Sequence, residues 1–170
     1  PSPVFEDYLI KLSSYVNVVV ERVFCGQQNG EVFLNIYDDP HKSSKFEIIR
    51  KIPQIDRLKV PMRSLDFLIE KHKLPPPYLI KIDVEGAELE VLKGGVKLLD
   101  RAQAIITEVS ITPLFINGPE LSDLICFMKN YRFSVFDIIS GHSHPSGNLC
   151  QLDLVFVKTN AHFRKKPLEN

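Results

Sequence analysis

The segment at residues 78–84 constrains this chain more than any other, because an apolar strand pattern there carries two charged residues and leads directly into a helix. Three consecutive prolines stand before it and end any preceding helix. An unpaired charge in a buried strand costs several kcal/mol, so we expect Lys81 and Asp83 to be paired, hydrated or functional. Since open α/β sheets bind ligands beyond the carboxyl ends of their strands, the sequence predicts a functional site at the end of this strand.

Periodicity along the rest of the chain predicts alternating helices and strands. The predicted helices cover residues 4–14, 64–72, 89–99 and 120–131, and the predicted strands cover 16–24, 31–37, 58–62, 78–84, 104–109, 133–139 and 152–157. Ser64 is expected to cap its helix, and Gly94-Gly95 to interrupt the third helix. We expect the strands at 16–24 and 31–37 to pair as a hairpin or to extend one sheet.

Composition limits the class of protein. The 170 residues, 44% of them hydrophobic, can bury a core, so we expect a single domain over 1–170 with a polar tail at 161–170. Basic and acidic residues number 21 each and are scattered, which argues against a nucleic-acid partner. Three widely spaced cysteines indicate neither a disulfide framework nor a zinc cluster, and a cytoplasmic, reducing location fits them best. No apolar run approaches the about 20 residues of a membrane span, so no membrane partner is expected.

The two-residue period of a strand places Lys81 and Asp83 on one face of the strand at 78–84. If the strand at 104–109 is its parallel neighbour, Glu108 lies beside Asp83, and the three groups form a cluster of two acids and one base. Carboxylates in a partly dry site raise one another's pKa while Lys81 lowers it, so one of them can accept a proton near neutral pH. Two structural alternatives stay open: Asp83 caps the following helix, or Lys81 neutralises a neighbouring acid in a structural pair.

The stretch Lys-Ile-Asp-Val-Glu-Gly-Ala-Glu at 81–88, followed by Leu-Lys-Gly at 92–94, resembles the signature of the FkbM family of S-adenosylmethionine-dependent methyltransferases. Weaker likenesses to this family cover 1–5, 64–68 and 151–157. The resemblance implies an α/β fold with a Rossmann-like class I methyltransferase sheet, mostly parallel, with an antiparallel strand pair at the C-terminus. It also implies that the N-terminal strand or strands and the glycine-rich cofactor turn are missing, and we expect the sheet edges so exposed to favour self-association.

The same resemblance implies methyl transfer from S-adenosylmethionine to an oxygen of a small molecule or to a sugar hydroxyl. This in-line displacement needs donor and acceptor aligned and, for a hydroxyl, a group that removes the proton. The catalytic residues would be Asp83, as general base or as ligand of a base-assisting metal, Lys81, which orients Asp83, and Glu108. The cofactor would contact Ser2, Cys25 and Gly26, and the acceptor would contact Glu85, His142 and His144.

The polar segment at 140–148, which contains His142 and His144, is expected to be a flexible loop between the last two strands. Two other functions remain open. The chain could be a catalytically silent module that uses the methyltransferase fold to bind a partner. Less favoured is a metal-dependent hydrolase, which would require the two histidines to approach Asp83. Glu88, in contrast, is expected to be a solvated helix residue.

Overall fold

The computed structural model describes residues 5–15, 17–162 and 164. Its helices are α1 (Glu6–Ser13), α2 (Leu65–His72), α3 (Glu88–Lys93), α4 (Val96–Leu99) and α5 (Leu121–Asn130), and a short 3₁₀ helix covers Pro40–Lys42. Its strands are β1 (Phe24–Cys25), β2 (Gly30–Tyr37), β3 (Gln54–Arg63), β4 (Tyr78–Ile82), β5 (Ala102–Ser110), β6 (Phe133–Ser143) and β7 (Leu149–Lys158). None of the described helices is long and apolar enough to cross a membrane. Ser2 and most of the predicted tail at 161–170 lie outside the described residues.

Two sheets form the framework of the molecule. The larger has the order β4-β5-β7-β6, in which β4 and β5 are parallel and β7 is antiparallel to both β5 and β6. The smaller has the order β1-β3-β2, with β1 parallel and β2 antiparallel to β3. The antiparallel pair at the C-terminus is present, but the expectation of a mostly parallel sheet is wrong, since each sheet of the described chain contains one parallel pairing. The α3–α4 connection lets β4 and β5 run parallel, whereas a short turn makes β6 and β7 antiparallel.

The structure confirms the predicted helices, and local contacts explain where α2 begins and where the third predicted helix is interrupted. The hydroxyl of Ser64 accepts a hydrogen bond of 3.3 Å from the amide of Phe67 and caps α2, as expected. The Gly94-Gly95 pair separates α3 from α4. A β carbon on Gly94 would overlap the backbone carbonyl of Gly26, so the end of α3 can approach the smaller sheet only through a glycine.

The predicted strand at 16–24 is wrong in extent. Only β1 forms there, and it pairs with the end of β3, while residues 17–23 form no strand. The expected hairpin with β2 is also wrong, because β3 lies between β1 and β2, although all three belong to one sheet. Val18 and Val19 are 40% and 55% exposed, so their branched side chains lack the buried sheet face that favours a strand.

The predicted loop at 140–148 is too long, because its first four residues belong to a strand. β6 continues through Ser143 and β7 begins at Leu149, so residues 144–148 alone connect them. Bulges interrupt the register of this hairpin, one of them between His142 and Ser143. Polar composition hid the strand, because an antiparallel hairpin that faces water needs no apolar side chains for its backbone pairing.

Apolar side chains form two clusters. The larger cluster joins helices α3, α4 and α5 to the four-stranded sheet and includes the fully buried Ile105 and Phe156. The smaller cluster joins the three-stranded sheet, through residues such as Leu34, to Ala87 at the start of α3. Val84, two residues after β4, packs against both clusters. The turn that follows β4 therefore lies where the two sheets meet.

Candidate active site

The turn between β4 and α3 carries candidate catalytic groups and has an unusual backbone. Glu85 and Gly86 adopt left-handed conformations, with φ of 52° and 92°. A β carbon on Gly86 would also meet the ring of Phe115 at 2.6 Å, so glycine is required there for two reasons. The fully buried hydroxyl of Ser44 donates a hydrogen bond of 2.6 Å to the carbonyl of Glu85, and this contact holds the strained residue in place.

Glu88, at the start of α3, is buried, so the expectation of a solvated residue is wrong. It is 5% exposed, and its carboxylate accepts a hydrogen bond of 3.0 Å from the amide of Gly86. Burial raises the pKa of Glu88, although backbone hydrogen bonds oppose the shift. The Glu88 side chain therefore stabilises the turn from within the protein.

Lys81 and Asp83 form an ion pair at the end of β4. The Nζ atom of Lys81 donates to Oδ2 of Asp83 at 2.9 Å and lies 3.6 Å from Oδ1 of Asp153 on β7. Partial burial lowers the pKa of Lys81, but the hydrogen bond to Asp83 and the charges of Asp83 and Asp153 outweigh this effect and raise it. Sequence reasoning missed Asp153, because no sequence signal fixes the register of β7.

Glu108 lies beside this pair, near the end of β5. The parallel register pairs Ile82 with Thr107, so the next residues, Asp83 and Glu108, are neighbours. Nε2 of Gln151 donates a hydrogen bond of 2.6 Å to Oε2 of Glu108. Burial is the main cause that raises the pKa of Glu108 to about 7, and neighbouring carboxylates add to it. At this pKa the carboxyl group can accept and release a proton near neutral pH.

Glu85 is paired with a lysine that sequence reasoning also missed. Nζ of Lys42 lies 3.0 and 3.3 Å from the two carboxylate oxygens of Glu85, whose side chain is 15% exposed. Burial raises the pKa of Glu85, while the charge of Lys42 opposes the shift. Lys42 ends the short 3₁₀ helix after β2, a segment that looks like an ordinary polar loop in the sequence.

Two cavities flank the acidic cluster formed by Asp83, Glu85 and Glu108, and Glu85 lines both of them. The first cavity, of about 550 Å³, has apolar walls that include Phe5 and Cys25, and it reaches Asp83. The second cavity, of about 190 Å³, has apolar walls that include Ile48, Ile52 and Leu114, and it also presents the polar side chains of Lys42, Arg50, Glu85, Glu108, His142, Ser143 and Gln151. The charged groups at the ends of β4 and β5 therefore lie between two spaces that could each hold a small molecule.

A family model described as the methyltransferase FkbM domain matches residues 10–135, which is most of the chain. The chain belongs to the FkbM methyltransferase family. The resemblance carried by the signature at 81–88 is thereby confirmed. A curated relative, the hexuronic acid methyltransferase AglP of Haloferax volcanii, is 46% identical over 46 residues, which are 27% of this chain and 19% of that protein. The match thus spans about a fifth of the length of that relative, and no solved structure gives a significant match.

In this FkbM domain, the residues expected to contact cofactor and acceptor come together only in part. Cys25 lines the first cavity, whereas Gly26 lies against the side chain of Met62 and the end of α3. His142 lines the second cavity together with Glu108. His144 lines a third cavity, of about 240 Å³. The structure thus brings one of the two predicted histidines to the acidic cluster.

The acids and histidines of the FkbM domain do not form a metal centre within residues 5–15, 17–162 and 164. No group of three or more His, Cys, Asp and Glu side chains there is arranged to hold a metal ion. Asp83, His142 and His144 line three different cavities. This geometry gives the metal-dependent hydrolase no support, because that function requires both histidines near Asp83.

Proposed function

We propose that this protein transfers a methyl group from S-adenosylmethionine to a hydroxyl oxygen of a sugar acceptor. The observation that carries the proposal is Glu108, a half-buried carboxyl group whose pKa of about 7 suits a general base. Glu108 lies beside the carboxyl end of β4, where the FkbM signature is located. Membership of the family supports methyl transfer as the reaction.

The first cavity suits the methyl donor in size and in chemistry. Its volume of about 550 Å³ lies within the range of about 300–1,000 Å³ that is typical of small-molecule sites. Phe5 and Cys25 offer apolar contact to a flat adenine ring, and Asp83 places a negative charge where it attracts a sulfonium. When bound there, S-adenosylmethionine supplies an electrophilic methyl carbon on a positively charged sulfur.

The second cavity suits the acceptor. Its volume of about 190 Å³ is below the usual range of about 300–1,000 Å³ for drug-sized ligands, so it fits one small unit, such as a single sugar ring. Glu108 and His142 line this cavity and can contact a hydroxyl group. The relative in Haloferax volcanii is named for methylation of a hexuronic acid, which supports a sugar acceptor here.

In the proposed reaction, Lys81, Asp83 and Glu108 have separate roles. Nζ of Lys81 donates a hydrogen bond of 2.9 Å to Oδ2 of Asp83, and this contact holds the negative charge of Asp83 at the first cavity. Glu108, oriented by Gln151, accepts the proton of the acceptor hydroxyl while the hydroxyl oxygen bonds to the methyl carbon. The O–H and C–S bonds break, the C–O bond forms, and the proton remains on Glu108. The general base is therefore Glu108, and Asp83 stabilises charge beside it.

Methyl transfer by the full-length protein to a sugar acceptor tests this proposal. Glu108→Gln should lower kcat about 10²–10⁴-fold, because the amide cannot accept the proton. Its affinity for S-adenosylhomocysteine, measured by calorimetry, should stay within about twofold of the wild-type value. Glu70→Gln, an exposed position on α2, is the matched control and should behave as wild type.

An unchanged kcat in Glu108→Gln would remove this residue from the reaction. Tight cofactor binding without transfer to any sugar acceptor would instead favour the catalytically silent module.

A further inference from the structure

Arg50 lies at the rim of the second cavity, in a position that backbone pairing fixes. The amide of Ile49 donates a hydrogen bond of 2.9 Å to the carbonyl of Leu114, and Ile48 forms an antiparallel bridge with Phe115. Arg50 follows this pairing directly and lines both the second and the third cavity. A segment held by backbone pairing therefore places Arg50 against the proposed acceptor space.

The charges around the second cavity leave Arg50 without an acidic partner. Lys42 engages Glu85 at 3.0 Å, and Glu108 accepts a hydrogen bond from Gln151. Within the described part of the chain, no ion pair or hydrogen bond of the Arg50 guanidinium is found, and the residue is exposed. The second cavity thus combines a proton acceptor with a positive charge that is free to bind an anion.

We propose that Arg50 binds the carboxylate of a uronic acid in the second cavity, an inference that rests on the proposed function and names its acceptor class. A guanidinium presents a planar fork that matches a carboxylate with two parallel hydrogen bonds. Ile48, Ile52 and Leu114 offer apolar walls to the carbon atoms of the sugar ring. A neutral sugar would cover the guanidinium without pairing it, so the cavity discriminates against neutral acceptors.

Calorimetry on the full-length protein saturated with S-adenosylhomocysteine tests this inference with two matched pairs of probes. The pairs are methyl glucuronide with methyl glucoside, and methyl galacturonide with methyl galactoside. The wild type should bind one uronide about 10- to 100-fold more tightly than its neutral partner, and Arg50→Gln should abolish that preference. Arg50→Lys should keep part of it, because it keeps the charge and loses the fork. Arg101→Gln, an exposed arginine beside the opposite end of β5, should behave as wild type.

Equal affinity of the wild type for both members of each pair, or a preference that survives in Arg50→Gln, would overturn the inference. Methyl transfer to the same four glycosides separates this failure from failure of the proposed function. Arg50-dependent binding without any transfer would support the inference and overturn the proposed reaction. Transfer to neutral and acidic sugars alike, with no effect of Arg50→Gln, would support the reaction and overturn the inference.

Discussion

Glu108 differs from an ordinary glutamate because neighbouring strands bring it to a half-buried position beside other acids. Burial disfavours its charged form, and the charges of Glu85 and Asp83 add to this effect, so its pKa rises from 4.5 to about 7. The folded protein therefore binds this proton more tightly than the unfolded chain does. The stability contributed by Glu108 is complete below pH 4.5, falls as the pH rises to about 7, and changes no further above that.

We predict that Glu108→Gln is more stable than wild type at about pH 8, by about 1 kcal/mol after allowance for solvent screening of a half-exposed group. The gain should shrink as the pH falls from about 7 and vanish below pH 4.5, where the carboxyl group becomes protonated in both states. Urea unfolding across this range measures the difference, and Glu70→Gln should show none. A difference that stays constant with pH would contradict the raised pKa.

At the same scale, sequence alone could predict the contact between Lys81 and Asp83 and the proximity of Glu108. Both follow from the two-residue period of a strand and from the parallel pairing of successive strands around a helix. Sequence could not predict Asp153 or Gln151, because β7 brings them to the site through its antiparallel register with β5. Such a register between strands that are distant in sequence depends on contacts along their whole length.

Among the elements, three helices meet at one point beside the smaller sheet. The carbonyl of Gly94, at the end of α3, accepts a hydrogen bond of 3.0 Å from the amide of Asp66 at the start of α2. The carboxylate of Asp66 accepts hydrogen bonds of 3.0 and 2.9 Å from the amides of Lys97 and Leu98 at the start of α4. The backbone of Gly26 closes the contact from the smaller sheet. The space at this point has no room for a further side chain.

We therefore predict that Gly94→Ala lowers the free energy of unfolding by about 1–3 kcal/mol, because its β carbon would overlap a backbone carbonyl. Gly30→Ala is the matched control, since a β carbon there would meet only Cε of Met62, at the ordinary distance of 3.9 Å. Denaturant titration of both variants gives the comparison. If Gly94→Ala is as stable as Gly30→Ala, the close approach of α3 to the smaller sheet is wrong.

Helices were more predictable than strand pairing. α2 and α5 each begin one residue after the predicted start, because caps and apolar periodicity are local signals. The segment at 16–24 contains the β-branched residues of a strand, yet a strand also needs a partner, and only two residues of β1 reach β3. Whether two strands pair in parallel or antiparallel likewise depends on distant segments. The sequence therefore predicted a mostly parallel sheet, whereas the structure has mixed sheets.

For the whole molecule, the turn after β4 couples the two sheets. Val84 packs against both apolar clusters, and Ala87 belongs to the smaller one although it directly precedes α3. Ser44, from the segment after β2, donates to the carbonyl of Glu85 at 2.6 Å and accepts from the amide of Phe46 at 3.1 Å. The geometry of the candidate active site therefore depends on the fold of the smaller sheet.

Replacing Ser44 by Ala should test this coupling, because it leaves buried polar groups unpaired and frees the left-handed backbone of Glu85. We predict a loss of about 1–3 kcal/mol in stability, faster amide hydrogen exchange in β2 and β3, and a lower kcat for methyl transfer. Ser13→Ala, which removes an exposed hydrogen bond to Leu9 within α1, should change none of these. Full turnover in a destabilised Ser44→Ala protein would show that the smaller sheet stabilises the fold without positioning Glu85, and the proposed coupling would be wrong.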